Sequence, residues 1–212
     1  MNPAQLNESP RMRPRHYLAS ASPRRHELLK QIGVEHLVLD IPPSEGADEP
    51  QLPNESPAAY VLRTAHDKAQ RAQQWIRQQR LQDHPILTAD TTVILDETIL
   101  HKPLDHADAA RMLASLSGRT HEVRTAIVLS DQTRVLDDVA ITSVTFKTLT
   151  AAEIEHYCRS QEPMGKAGAY GIQGYAGTFV TRIEGTFSGV MGLPVYETMR
   201  LLNAFYPNAH PA

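Results

Sequence analysis

One ten-residue segment constrains the fold of this chain more than any other. Residues 86–95 form an almost continuous run of β-branched and apolar residues, interrupted by Asp90. Such a run is typical of a central strand buried on both faces of a sheet. A carboxylate there needs a cation, a metal ion or hydrogen-bond donors to offset its desolvation. Asp90 is therefore the strongest catalytic candidate, and the alternative is a structural aspartate bonded to backbone N–H groups.

Helix and strand patterns alternate along the rest of the chain. Helix starts are marked by the N-cap residues Ser22, Ser56, Asp105 and Thr150. β-prone segments stand between them, at residues 17–19, 86–95, 121–129 and 134–146. A closing helix is predicted over residues 195–205. The alternation predicts an α/β or α+β fold built around one mixed sheet.

The composition limits the class of protein. A chain of 212 residues with 41% hydrophobic content supports one compact domain, predicted over residues 16–206 after a loosely ordered extension at 1–15. The net charge of −3 argues against a nucleic-acid partner, which needs a broad basic face. The lone Cys158 excludes an internal disulfide. With no apolar run long enough for a membrane span or a secretory signal, we expect a cytoplasmic protein without a membrane partner.

Two arginines lie in the first turn of the first predicted helix. Arg24 and Arg25 follow Pro23, with Ser20 and Ser22 in the preceding turn. Cations are unfavourable at a helix N-terminus, where free N–H groups already create positive potential, unless an anion binds there. Guanidinium groups, hydroxyls and helix N–H groups together predict a polyphosphate cradle. The alternative is a solvated arginine pair on the surface.

Further candidates are spread along the chain. Lys68 lies on the apolar face of the second predicted helix, and Lys102 precedes a proline; each is a possible partner for Asp90 or a surface lysine. Glu45, in a loop at residues 41–57, is a candidate second ligand for a divalent ion beside Asp90, the alternative being a solvated glutamate.

Several kinds of catalytic site are excluded by their missing motifs. The chain has no Walker A loop, no Gly-x-Ser-x-Gly elbow and no His-Glu-x-x-His pair. A zinc site is not expected, because the histidines are dispersed and the cysteine is single. His121 and Glu122 are neighbours in a predicted strand, so they point to opposite faces and make a poor catalytic pair.

Glycines are concentrated near the C-terminal end. Eight of the eleven lie between Gly165 and Gly192, and five recur at every third position from Gly165 to Gly177. The run is too short and too poor in proline for a collagen-like repeat. It predicts a loop and strand edge where the backbone closely approaches another group.

Several motifs, taken in order, resemble the Maf family of nucleotide pyrophosphatases over residues 17–202. The first is the segment from Ser20 to Leu29, with its Ser-Pro-Arg-Arg core. The others are Ala89-Asp90-Thr91, Lys102-Pro103, residues 116–123, and Gly192-Leu193-Pro194. Within the family, residues 166–174 are similar to the branch that acts on dTTP and UTP. Ser44, His101 and Gly165 differ from the residues most frequent in the family at those positions, and none of them is a proposed functional residue.

The resemblance implies a fold and an activity. The expected fold is an elongated mixed sheet flanked by helices, with two lobes around a cleft as in the inosine triphosphatase class, often as a homodimer. The expected reaction is hydrolysis of a nucleoside triphosphate to the monophosphate and pyrophosphate, with Mg²⁺ or Mn²⁺ held by Asp90 and Glu45. Asp90 would orient or deprotonate the attacking water. The implied substrate-binding residues are Ser20, Ser22, Arg24, Arg25, Lys68, Thr91, Lys102 and Gln173.

Substrate preference follows from part of this set. Arg24, Thr91 and Gln173 are implied as specificity residues, and an amide such as Gln173 both donates to and accepts from a uracil or thymine edge. Two other interpretations stay open from sequence. One is an enzyme for 7-methyl-GTP or another non-standard nucleotide. The other is a non-catalytic nucleotide-binding regulator of septum formation.

Overall fold

A computed structural model describes residues 15–42 and 50–207 as an α/β protein. Its strands are β1 (His16–Leu18), β2 (His36–Val38), β3 (Ile86–Leu95), β4 (Thr98–Leu100), β5 (Thr120–Ser130), β6 (Val135–Phe146) and β7 (Val180–Glu184). Its α-helices are α1 (Pro23–Gln31), α2 (Pro57–Gln78), α3 (His106–Leu116), α4 (Ala151–Arg159), α5 (Phe187–Met191) and α6 (Val195–Phe205). Residues 1–14 of the predicted extension lie outside the described residues.

The strands form one mixed sheet, as predicted. Their order is β2-β1-β3-β5-β6-β7, and β4 pairs with β3 outside this path. β1 runs parallel to β2 and β3, whereas the long strands β3, β5 and β6 are antiparallel to one another. Helices cover both faces of these strands, which confirms the fold class expected from the sequence.

The predicted helix caps are formed by local hydrogen bonds. The Ser56 side chain accepts from the N–H of Ala59, and Asp105 accepts from Asp108. Thr150 and Glu153 form the reciprocal capping box. Ser22 also lies at its N-cap position, but its side chain makes no capping hydrogen bond.

Helix α2 covers one face of the sheet through small residues. Its Val61, Ala65 and Ala69 pack on Ala126 and Val128 of β5. Alanines let the helix backbone approach the strands closely, and the Thr88 hydroxyl donates to the Ala65 carbonyl at 2.9 Å. Asp90 lies opposite Ala126 in the antiparallel ladder, so its side chain points to the same face as α2.

Two hydrophobic clusters share the long strands. The first packs α1 and α6 against the start of β3 and the end of β5, and includes Leu28, Leu29, Leu87, Ile127, Leu129, Leu201, Leu202 and Phe205. The second packs α3 and α4 against the opposite ends of the strands, and includes Val93, Val123, Val144, Phe146, Leu113, Leu116, Ile154 and Tyr157. Asp90 lies on β3 between the residues that enter each cluster. The two clusters therefore hold β3 in place on either side of Asp90.

The glycine-rich segment packs closely against its surroundings, as the sequence predicted. A Cβ atom on Gly168 would lie 2.8 Å from Val93 Cγ1, and one on Gly174 would lie 2.1 Å from Glu162 Oε1. Gly168 also has a φ of 67°, in the left-handed region. These glycines let the loop lie directly on β3 and on the segment after α4.

The change Gly168→Ala is expected to lower the free energy of unfolding by about 2–4 kcal/mol. Left-handed backbone strain and overpacking against Val93 both contribute to this loss. The matched control is Gly165→Ala, because Gly165 has a similar φ of 70° but open space around its missing Cβ. Urea denaturation of both variants measures the difference. An equal loss for the two would contradict the packing contribution at Gly168.

No helix of the described part of the chain is long and apolar enough to span a membrane.

Candidate active site

The predicted functional residues meet in one cavity of about 580 Å³. It is bounded by the β1–α1 connection, α2, β3, the segment after β4 and the glycine-rich loop. Every predicted site residue that the structure describes lines this cavity: Ser20, Ser22, Arg24, Arg25, Lys68, Asp90, Thr91, Lys102 and Gln173. Glu45 lies outside the described residues. Segments far apart in sequence are thus brought to one place by the folding of the sheet.

Asp90 and Lys68 form an ion pair in this cavity. The Lys68 ammonium donates to Asp90 Oδ1, and the Thr92 hydroxyl donates to Asp90 Oδ2 at 3.4 Å. Only 14% of the Asp90 side chain and 26% of the Lys68 side chain are exposed. Burial alone would raise the pKa of Asp90, but Lys68 and then Arg25 outweigh it and hold this pKa below its ordinary value. The carboxylate is therefore ionised at neutral pH and able to accept a proton.

The position of Lys68 follows from the face of α2 that packs on the sheet. Ala65, Ala69 and Ala72 of this helix are buried, and Lys68 lies beside them on the same side. Its charged end reaches Asp90 at the centre of β3. The sequence left two lysines open as partners of Asp90, and the structure selects Lys68.

Arg25 is held by hydrogen bonds to three separate segments. It donates from Nε to the Gly192 carbonyl at 2.7 Å, from Nη1 to Ser20 Oγ at 3.1 Å and from Nη2 to Thr91 Oγ1 at 3.3 Å. Burial lowers the pKa of Arg25, and the Asp90 charge opposes this effect. Arg25 therefore ties α1 to β3 and to the end of α5.

The Thr91 hydroxyl is also part of this network. Thr125 donates to the Gly189 carbonyl at 2.8 Å, so the Thr91 hydroxyl, 2.9 Å from Thr125 Oγ1, is the donor in that pair. Thr91 accepts from Arg25 at the same time. Both Thr91 and Arg25 thus make structural contacts within the wall of the cavity, and their predicted roles toward a substrate stay predictions.

Comparison with known proteins shows the family to which the chain belongs. Residues 15–205 match the family model described as Maf-like protein. The chain belongs to the Maf family. A Bordetella avium protein named dTTP/UTP pyrophosphatase is 61% identical over 189 residues, which cover 89% of this chain and 94% of that protein. Proteins of the same name from Bordetella pertussis and Escherichia coli strain UTI89 are 60% and 50% identical over 191 residues, covering 90% and 89% of this chain and 92% of each protein.

The cavity of this Maf-family chain contains charged residues that the sequence analysis missed. They are Asp40, Arg71 and Lys166. Arg71 lies one helical turn after Lys68, and this spacing could have identified Arg71 as a further residue of the site. Lys166 stands inside the 166–174 motif, but no rule of sequence spacing relates a loop lysine to Arg24. Asp40 follows the short strand β2, and only the parallel pairing of β2 with β1 brings it near the start of α1.

His121 and Glu122 do not form a catalytic pair, as predicted. Nε2 of His121 lies 2.8 Å from the Tyr170 hydroxyl in the core, and burial lowers the pKa of His121 to about 4. Glu122 forms an ion pair with Arg124 instead. Adjacent residues of a strand point to opposite faces, which explains the separation.

The cavity offers carboxylate oxygens and the imidazole of His101 as metal-ligand atoms. Among residues 15–42 and 50–207, no three His, Cys, Asp or Glu side chains are grouped to hold an ion. The described carboxylates that line the cavity are those of Asp40 and Asp90. Such a set suits Mg²⁺ or Mn²⁺, which take one or two carboxylates and complete their coordination with substrate phosphates and water.

Proposed function

We propose that this protein hydrolyses dTTP and UTP to the nucleoside monophosphate and pyrophosphate. The single observation that carries this proposal is the convergence of the Lys68–Asp90 pair with Arg24 and Lys102 in one cavity. It joins a carboxylate able to accept a proton to cations able to bind a polyphosphate. The relatives named dTTP/UTP pyrophosphatase support the choice of substrate.

The cationic side chains account for binding of the triphosphate. Arg24 lies at the start of α1, whose first turn contains no acidic residue. Its guanidinium and the free N–H groups of this turn favour phosphate oxygens. Lys68 and Lys102 supply further positive charge, which stabilises the negative charge that grows on the departing pyrophosphate. Ser20 and Ser22 line the same cavity.

Asp90 accounts for the chemical step. Its ionised carboxylate orients a water molecule and accepts a proton from it as the water oxygen attacks the phosphoryl group. The new phosphorus–oxygen bond forms as the bond between the α- and β-phosphate groups breaks, and pyrophosphate departs with the bonding electrons. The Lys68 ammonium keeps Asp90 ionised before the attack.

We also propose a divalent cation, Mg²⁺ or Mn²⁺, as cofactor. Asp90 would hold it together with Glu45, and Asp40 offers another carboxylate in the same cavity. When bound, such an ion polarises phosphoryl oxygens and neutralises their charge.

Recognition of the base is assigned to Gln173, with Arg24 and Thr91 as further specificity residues. The Gln173 amide lines the cavity and offers both a donor and an acceptor, which matches the carbonyl and N–H groups of uracil and thymine. A homodimer, a cytoplasmic location and the lack of a nucleic-acid partner remain predictions that go with this function.

A substrate panel tests the proposal. The purified protein is incubated with UTP, dTTP, CTP, GTP and 7-methyl-GTP in the presence of Mg²⁺ or Mn²⁺, and pyrophosphate and orthophosphate are measured separately. We expect pyrophosphate from UTP and dTTP at the highest kcat/KM. A preference for 7-methyl-GTP would favour the alternative branch of the family. Binding of nucleotides without turnover would favour a regulator, and orthophosphate as the first product would contradict the reaction.

A further inference from the structure

Lys166 is a cation of the cavity to which the proposed mechanism gives no role. It follows Gly165 at the start of the glycine-rich loop and lines the cavity together with Arg24. Its ammonium donates to the backbone carbonyl of Glu162. Burial first, and then the charge of Arg24, lower the pKa of Lys166, and the charge of Glu162 opposes them only in part. Lys166 and Arg24 thus line the same cavity, and their like charges repel each other.

The surroundings of Lys166 hold it in this position. A Cβ atom on Gly171 would lie 3.0 Å from Lys166 Cε and 3.3 Å from Gln173 Nε2, so this glycine leaves space for both side chains. The Glu162 carboxylate accepts from the Tyr157 hydroxyl at 3.0 Å and from the Tyr175 N–H at 3.2 Å. Glu162 is thereby held by α4 and by the glycine-rich loop, and its backbone carbonyl accepts from the lysine ammonium.

Arg24 lies among positive charges. The charge of Arg24 acts on Lys166 and also on the neighbouring Arg25, whose pKa it lowers. Within residues 15–42 and 50–207, no carboxylate forms an ion pair with Arg24 or with Lys166. Arg24 and Lys166 come from distant segments and line one cavity. Their like charges repel each other, and an anion bound between them removes this repulsion.

We propose that Lys166 is a further substrate-binding residue, which together with Arg24 holds the polyphosphate of the nucleotide between α1 and the glycine-rich loop. This inference rests on the proposed function, because it assigns a partner to the phosphates of that substrate. This assignment also distinguishes two roles of the cations in the site. Lys166 and Arg24 contact the anion, whereas Arg25 positions the wall through its bonds to Gly192, Ser20 and Thr91.

Binding of inorganic tripolyphosphate tests this assignment without a nucleoside. Calorimetric titration of the full chain in metal-free buffer gives affinities for tripolyphosphate and for UTP. In Lys166→Met we expect both affinities to fall by about tenfold or more, because one charge-assisted contact is lost. Lys166→Arg keeps the charge and should keep most of the affinity. The matched control is Lys30→Met, which makes the same change of net charge at an exposed position of α1.

The outcomes separate this inference from the proposed function. Unchanged tripolyphosphate affinity in Lys166→Met overturns the inference, and so does a loss confined to UTP, which would place Lys166 at the nucleoside. Equal losses in Lys166→Met and Lys30→Met would reveal only a long-range effect of charge and also overturn it. A wild-type protein that binds tripolyphosphate through Lys166 but releases no pyrophosphate from nucleotides refutes the proposed function alone. Thermal unfolding midpoints confirm that the variants are folded.

Discussion

Replacing Asp90 with asparagine is expected to lower kcat/KM for UTP and dTTP by about 10³-fold, within the range that a general base contributes. Asparagine preserves the size of the side chain and removes its ability to accept a proton. The neighbouring cations keep their positions, so affinity for UTP should be retained or increased when the negative charge of Asp90 is lost. Steady-state release of pyrophosphate and calorimetric binding of UTP measure the two effects separately.

A matched control lies at the end of the same strand. Asp96 directly follows β3, and 70% of its side chain is exposed where it forms an ion pair with Arg119. Its φ of 47° is also well tolerated by asparagine, so Asp96→Asn should fold normally and keep wild-type activity. Full activity in Asp90→Asn would contradict the proposed role of this carboxylate. Loss of UTP binding in that variant would mean that Asp90 acts in binding instead.

The change Lys68→Met is expected to lower kcat/KM at pH 7 by about 10²-fold. It removes a cation from the polyphosphate site and the main charge that keeps Asp90 ionised. The pKa of Asp90 should therefore rise, and the acidic limb of the pH profile should move to higher pH. The pH dependence of kcat/KM measures this shift. An unchanged acidic limb in the variant would show that Asp90 does not control it.

The free energy of unfolding of Lys68→Met should also depend on pH, and the direction of this dependence follows from the pKa of Asp90. In the wild-type protein the folded-state pKa lies below the unfolded value, so the carboxylate stabilises the fold above the unfolded pKa. This contribution disappears as the pH falls through the folded-state pKa. Breaking the pair in Lys68→Met should cost about 2 kcal/mol at pH 7, since both side chains are mostly buried.

Urea denaturation at pH 7 and near pH 4 tests the sign. The difference in unfolding free energy between wild type and Lys68→Met should be largest at pH 7 and should shrink toward low pH. Lys68→Arg is the matched control, because it keeps a cation beside Asp90. A difference that grows as the pH falls would contradict the pairing.

Local signals in the sequence predicted most of the secondary structure. The closing helix at 195–205 and the strand at 86–95 have the predicted bounds, and the helix that follows Ser56 begins at Pro57 as expected. Caps, prolines and residue periodicity act within a few residues along the chain, so their effect does not depend on distant packing. The capping box at Thr150 is of this kind.

The candidate site was predictable as a set of residue types but not as a set of contacts. The sequence indicated that Asp90 needs a cation and that Arg24 needs an anion, because burial and helix polarity impose these needs locally. It could not choose between Lys68 and Lys102 as partner of Asp90. That choice depends on how closely α2 approaches β3, where the Thr88 hydroxyl donates to the Ala65 carbonyl.

By itself, then, the sequence determined the helices and long strands, the buried acid in a central strand and the cations that an anionic substrate requires. Only the tertiary structure decided which cations face the cavity and which support its wall. Arg24 and Arg25 are neighbours with the same chemistry, yet Arg25 is held by bonds to Gly192 and Thr91. Arg24 instead lines the cavity together with Lys166. The physical reason is that such bonds join segments far apart in sequence, and their geometry exists only once the sheet and its helices have packed.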